Sequence, residues 1–132
     1  MGPMTIYGTC SQDLKGQTGV NAPEMSSSLY AKYVINTGNG YDVVLGADVN
    51  KIDEYFTQND LDPFNLSPDT TKVNLRVGLE ADDNKWSLVV FGRNVTNEVG
   101  QSFGVDLPLI SGSHVGYLQP GREIGMRYRV NF

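Results

Sequence analysis

The amino-acid sequence predicts an all-β chain, an antiparallel meander of about five strands, and three observations lead there. Fifteen Gly, seven Tyr and five Phe among 132 residues, with hydrophobic residues at only 39%, favour short strands and turns over packed helices. Several segments alternate apolar and polar residues with a period of two, as strands do when their two faces meet different surroundings. The connections between those segments alternate short and long, so one end of the sheet is trimmed and the other elaborate.

Residues 1–24, rich in Gly, Gln and Thr, read as a loop-like N-terminal extension, and residues 25–132 as the β-domain. Met25 to Asn36 sets Leu29, Ala31, Tyr33 and Ile35 against Ser28, Tyr30, Lys32 and Asn36. Thr37-Gly38-Asn39-Gly40 is a strong turn signal. From Tyr41 to about Phe56, the residues Tyr41, Val43, Leu45, Ala47 and Val49 oppose Asp42, Gly46, Asp48 and Asn50. Thr71 to Glu80 repeats the pattern, with Val73, Leu75, Val77 and Leu79 facing away from Lys72, Asn74, Arg76 and Glu80. After the polar turn Ala81-Asp82-Asp83-Asn84, Lys85 to Val95 places Trp86, Leu88 and Val90 on one face and Lys85, Ser87 and Arg93 on the other. Val89 and Phe91 interrupt that second, polar face. Gly121 to Phe132 alternates without exception, Ile124, Met126, Tyr128, Val130 and Phe132 against Glu123, Gly125, Arg127, Arg129 and Asn131. The short connections are 37–40 and 81–84; the long ones are 57–69 and 96–120.

A formal charge of −5, with no cluster of Lys and Arg, excludes a nucleic-acid partner. The single cysteine, Cys10, forms no internal disulfide, and no Cys/His set has the spacing of a metal centre, so neither metal nor cofactor is expected. No nucleophile and base pattern appears, His114 stands in a Gly/Ser-rich loop, and no enzymatic activity is expected. Asp60 and Asp62 read as a solvated acidic loop. No run approaches the roughly 18 apolar residues of a spanning helix, so a membrane would be met by strands. Met1-Gly2-Pro3-Met4 has neither a basic nor an apolar leader region, and an export signal is expected upstream of a cut. Outer-membrane barrels combine this alternation with short turns at one rim and long loops at the other. An antiparallel sheet packed on a soluble core alternates too, so alternation by itself leaves both readings open.

The wording of the last sixty residues discriminates between them. Val73-Asn74-Leu75-Arg76-Val77-Gly78-Leu79 is followed by Lys85-Trp86-Ser87-Leu88-Val89-Val90-Phe91-Gly92-Arg93-Asn94-Val95-Thr96-Asn97-Glu98. The chain closes with Pro120-Gly121-Arg122-Glu123-Ile124-Gly125-Met126-Arg127-Tyr128-Arg129-Val130-Asn131-Phe132. These phrases, in this order, resemble the C-terminal β-barrel segment of TonB-dependent outer-membrane receptors. Gly19-Val20-Asn21-Ala22-Pro23-Glu24 resembles the phrase that introduces a late strand there. The resemblance implies the last five strands of a barrel of about 22, located in the bacterial outer membrane. It also implies uptake of a siderophore, vitamin B12, a carbohydrate or a similar solute, by the whole receptor and not by this piece alone. The alternative is an autonomous soluble β-domain that binds a ligand or partner, or self-associates.

On the barrel reading, Tyr41, Trp86 and Tyr128 belong to an interface girdle, where ring and polar tip straddle lipid and water. Arg76, Arg93, Arg127, Arg129, Lys72 and Lys32 line the wet side, within reach of a plug domain. Tyr128, Val130 and Phe132 resemble the terminal signal read by the barrel assembly machinery. Tyr55, Phe56, Phe64 and Tyr117 are the candidate ligand-binding residues, because exposed aromatics bind flat and apolar solutes. Five strands cannot close a membrane barrel, for which about eight is the practical minimum. The expected partners are therefore the outer membrane, the rest of the barrel and its plug, or further copies joined through strand edges. A smaller rolled barrel is the remaining way to cover the edges.

Overall fold

The computed structural model describes residues 13, 15–107, 109, 110 and 112–132, so Cys10 lies outside the described residues. The described residues form nine strands in chain order: β1 (Ser26–Asn36), β2 (Tyr41–Ile52), β3 (Tyr55–Phe56), β4 (Leu66–Ser67), β5 (Thr70–Ala81), β6 (Trp86–Arg93), β7 (Gln101–Asp106), β8 (His114–Leu118) and β9 (Glu123–Val130). A single 3-10 turn, Pro63–Asn65, precedes β4, and no α-helix occurs among the described residues. The long strands form one five-stranded antiparallel sheet in the order β1-β2-β5-β6-β9. Each is hydrogen-bonded to the next long strand in the chain, which is the meander that the sequence predicts. Two-stranded ribbons, β3-β4 and β7-β8, occupy the two long connections.

The short connections hold together by local chemistry. In the first, Gly38 and Gly40 adopt φ of 68° and 86°, a left-handed backbone that a side chain would strain. Asn36 Oδ1 accepts the Gly38 amide at 3.0 Å, and the Thr37 hydroxyl donates to the Tyr41 carbonyl. In the second, Asn84 takes the left-handed position at φ 57°, and its amide closes on Ala81 O at 2.9 Å. Asp83 accepts the Lys85 amide and pairs with its ammonium at 3.0 Å, which holds its carboxyl below the usual carboxylate range. Asn131 then ties the end of the chain to this turn, its amide bonding Lys85 O at 2.8 Å and its Nδ2 bonding Asn84 O at 2.6 Å.

Register turns the alternation of single strands into one continuous surface. Three complete rows cross the sheet: Ile35–Val43–Leu79–Leu88–Tyr128, Tyr33–Leu45–Val77–Val90–Met126, and Ala31–Ala47–Leu75–Gly92–Ile124. No member carries a charge or an amide. Leu29, Val49 and Val73 extend the surface toward the loop end, where the next row is Ser27–Lys51–Thr71 and polarity returns. At the turn end it finishes with Tyr41 beside Ala81 and with Trp86 beside Val130. The apolar band is thus five rows deep and bounded on both sides. Eight residues separate its outer rows, about 27 Å along a strand, or about 20 Å of height at a tilt near 40°, close to the roughly 25 Å band of outer-membrane barrels.

Among the described residues, no element covers this band. Tyr33 is 67% exposed, Val77 52% and Met126 71%, and the only buried hydrophobic side chains among the described residues are Val44 and Ala81. An ordinary β-domain of this length buries an apolar face against a second layer. Here the described residues supply no second layer, the five-stranded sheet stays open instead of rolling into a smaller barrel, and β1 and β9 are its two outer strands.

The other face carries Lys32, Asp48, Arg76, Glu80, Arg127 and Arg129, and its glycines explain the apolar interruptions noted in β6. The tip of the Phe91 ring reaches over Gly125, where an added Cβ would stand 2.6 Å from Cζ. Val89 packs over Gly78 in the same way, and the Arg76 side chain crosses Gly46. Arg76 also stacks over the Tyr30 ring and Arg93 over the Phe91 ring, with guanidinium carbons 5.5 Å and 4.9 Å from the centroids. Val89 and Phe91 therefore lie on a polar face without forming a second apolar core.

Candidate functional site

The loop end of the sheet carries the elaborate chemistry. The second sequence segment ends at Ile52 and not near Phe56, because Tyr55–Phe56 leave the sheet to pair with Leu66–Ser67. The residues buried in this region are polar: Asn65, Ser67, Thr57 and Thr70 are each less than a tenth exposed. Hydrogen bonds hold them. Thr57 donates through both its amide and hydroxyl to Asn65 O at 2.8 Å, and Ser67 Oγ accepts the Gln101 amide at 3.1 Å. Tyr55 donates to Gln101 O at 3.2 Å and accepts from Gln119 Nε2 at 3.3 Å. The segments 57–69 and 96–120, read as loops from the sequence, thus form a structured cap.

The Gly-Arg-Asn phrase forms the base of that cap. Asn94 is 5% exposed, with φ of 48°. Its Nδ2 donates to Glu98 O at 2.8 Å and Pro120 O at 3.2 Å, while its Oδ1 accepts the Glu98 amide at 3.0 Å. Its own amide bonds Asn74 Oδ1 at 2.7 Å. Asn97, also left-handed at φ 57°, accepts the Arg122 amide at 2.9 Å, and Arg93 pairs with Glu123 at 3.2 Å. The segments Gly92-Arg93-Asn94-Val95-Thr96-Asn97 and Pro120-Gly121-Arg122-Glu123 therefore meet in space, pinning both ends of the 96–120 connection to the sheet. Asn65 and Asn94 both match the N-x-S/T acceptor pattern, but both are buried in hydrogen-bonded positions.

The four candidate ligand residues do not converge on one site. Tyr55 and Phe56 line an open cleft of about 460 Å³ whose wall is acidic, with Glu24, Asp53, Glu54 and Asp69. Tyr117 is 62% exposed and pairs with Phe103 across the β7-β8 ribbon, ring centroids 6.1 Å apart. Phe64 stacks on His114 at 4.6 Å with the rings inclined by 21°. Tyr55, with both of its hydroxyl bonds inside the cap, is chiefly a strut.

The contact between Phe64 and His114 leads to a cluster that spacing alone did not assemble. His114 starts β8, directly across from Asp106 at the end of β7, and its Nδ1 lies 2.6 Å from Asp106 Oδ1. That hydrogen bond, aided by Asp60 and Asn65 and opposed by partial burial, holds the Asp106 carboxyl below the usual carboxylate range. Asp62 arrives from the neighbouring connection, its Oδ1 capping the 3-10 turn at the Phe64 amide at 2.9 Å. One ligand atom from each of Asp62, Asp106 and His114 falls within a common spacing of 4.8 Å. Beneath them Asn65 is fully buried, its Nδ2 bonding Gln58 Oε1 at 3.0 Å and its Oδ1 accepting no hydrogen bond. Asp62 and Asp106 stand 44 positions apart in sequence, so only the packing of two ribbons reveals the group.

At the opposite rim, Tyr41 and Trp86 sit on the apolar face in its last row, with Tyr128 one row inward. Tyr128 and Val130 continue the apolar face of β9, and Phe132 beyond the strand is fully exposed. No protein-family model, no curated protein and no solved structure matches this chain.

Proposed function

We propose that this chain is part of the wall of an outer-membrane β-barrel of the TonB-dependent receptor type. It takes part in the uptake of a siderophore, vitamin B12, a carbohydrate or a similar solute only together with the remaining wall and plug. The apolar band carries the reading: its rows are in register over all five long strands, bounded by polar rows, and exposed. A side chain such as Leu or Ile gains roughly 1.5–3 kcal/mol on leaving water, and lipid supplies that gain without a second protein layer. Arg76, Arg127, Arg129 and Lys32 then face a wet lumen, the clamp of Asn94 and Asn97 supports a loop on the outer side, and Tyr41, Trp86 and Tyr128 mark the inner interface. In this reading Tyr128, Val130 and Phe132 serve the barrel assembly machinery and not the solute.

The second reading, a soluble domain that self-associates, draws on the open edges at β1 and β9. Light scattering with circular dichroism, in plain buffer and in mild detergent, separates the two. Strand structure that needs detergent or lipid supports the barrel wall. A monodisperse, β-rich monomer or small oligomer in plain buffer contradicts it and favours the soluble domain.

A further inference from the structure

The strongest cluster outside the membrane-facing surfaces is the one at the top of the cap, and its chemistry is that of a metal site. We propose that Asp62, Asp106 and His114 bind a zinc-type divalent cation, with water completing the coordination, and that the ion locks the β3-β4 connection onto the β7-β8 ribbon. The inference does not rest on the membrane reading.

Three features of the group argue for a cation. First, the donor set is two carboxylates and one imidazole, a mixed oxygen and nitrogen set that suits zinc and its neighbours better than calcium or magnesium, which take oxygen donors. Second, segments 57–69 and 98–118 contain no Lys or Arg, so His114 is the sole basic side chain that these two segments offer to Asp62 and Asp106. Third, the donors are held. Phe64 stacks on the imidazole, the 3-10 turn fixes Asp62 through its cap, and the ribbon register sets His114 opposite Asp106. Asn65, buried below, directs its amide toward the acidic side of the cluster, at 3.5 Å from Asp60 Oδ1.

Geometry leaves a modest closure to make. Bonds of about 2.0–2.1 Å in a tetrahedron separate ligand atoms by about 3.4 Å. The widest pair here is within 4.8 Å and closes by at most about 1.4 Å, while His114 Nδ1 and Asp106 Oδ1, 2.6 Å apart, open by about 0.8 Å to the same spacing. The ion replaces the His114–Asp106 hydrogen bond: His114 binds as the neutral ring, its Nδ1 lone pair turned to the ion and its N–H carried on Nε2, with the proton exchanged through solvent. Because Asp62 belongs to one connection and Asp106 and His114 to the other, an ion held by all three adds a direct link between two segments that already meet in the Phe64–His114 stack.

The test uses the full chain in mild detergent with Cys10→Ser, which removes the one thiol that would compete for zinc. Calorimetric titration with zinc chloride is expected to give one equivalent bound, with calcium chloride failing to displace it. His114→Gln and Asp106→Asn, each checked for an unchanged circular dichroism spectrum, are expected to weaken binding about tenfold or more. A readout free of variants at the site is the rate at which diethyl pyrocarbonate modifies His114, the single histidine, which zinc should slow. Folded protein that binds no zinc, zinc affinity unchanged by His114→Gln, calcium that competes equally, or modification at the same rate with and without zinc would each overturn the proposal.

Discussion

An arginine at Val77 probes the apolar band at its deepest point. Val77 lies in the central of the five rows, between Leu45 on β2 and Val90 on β6, and is 52% exposed in the free sheet. If that row lies at the middle of a bilayer, a charged side chain there costs about 2–4 kcal/mol, falling to about 0–1 kcal/mol near the interfaces. The first figure corresponds to a roughly 30- to 700-fold smaller folding constant, at about 1.4 kcal/mol per factor of ten. Thr71 supplies the control, being on the same strand and the same face in the polar row beside Lys51. Thr71→Arg should cost no more than about 1 kcal/mol, even with a like charge opposite. Urea unfolding in phospholipid vesicles, followed by the emission of Trp86, measures both. On a surface facing water, an exposed Val→Arg change falls within about 0.5 kcal/mol. A Val77→Arg effect that small, or one equal to that of Thr71→Arg, would refute the assignment of this face to lipid.

Asn94→Ala removes hydrogen bonds to Glu98 and Pro120 from a buried, left-handed position, and should destabilise the fold by about 2–4 kcal/mol in the same unfolding assay. Glu123→Gln breaks the Arg93 pair nearby, but both partners are well exposed, and the same assay should register less than about 1 kcal/mol. Gly125→Val forces Phe91 from its seat and should cost about 1–3 kcal/mol, with partial recovery when Phe91→Leu is added, read as a double-mutant cycle. Phe132→Ala touches a fully exposed side chain and should leave stability within about 0.5 kcal/mol; on the barrel-wall proposal it should nonetheless lower the amount of barrel assembled in cells.

The five long strands were legible because each keeps one apolar face at a period of two, even where Val89 and Phe91 interrupt the polar face, and because Thr37-Gly38-Asn39-Gly40 and Asp83-Asn84 punctuate them clearly. The apolar face of each strand was visible in the same pattern, whereas the rows that cross the sheet required the observed register. The cap was not legible. Strands β3 and β4 have two residues each, too few for any periodicity, and Gln101 to Asp106 mixes Ser, Phe, Gly and Val without a clean face. Its buried residues, Asn65, Ser67 and Thr57, are polar types that usually mark exposed loops. Tyr55 read as an exposed aromatic, yet its hydroxyl is used by Gln101 and Gln119, partners more than forty positions away. His114 and Asp62 gave no motif for a similar reason, since the ribbon that joins them was invisible. The Gly92-Arg93-Asn94 phrase was visible only as wording; its physical purpose, a left-handed Asn that collects both ends of a long connection, required the fold.

Periodic accessibility along β5 tests the central claim most directly. Single cysteines at residues 74 through 79, in the Cys10→Ser chain folded into lipid vesicles, would carry an environment-sensitive fluorophore. Quenching is then compared between lipid-bound nitroxide and aqueous iodide. Labels at Leu75, Val77 and Leu79 should be quenched by nitroxide and shielded from iodide, and labels at Asn74, Arg76 and Gly78 should behave oppositely. Equal access of iodide to both sets, or the absence of a two-residue period, would contradict the account of this sheet as a membrane wall.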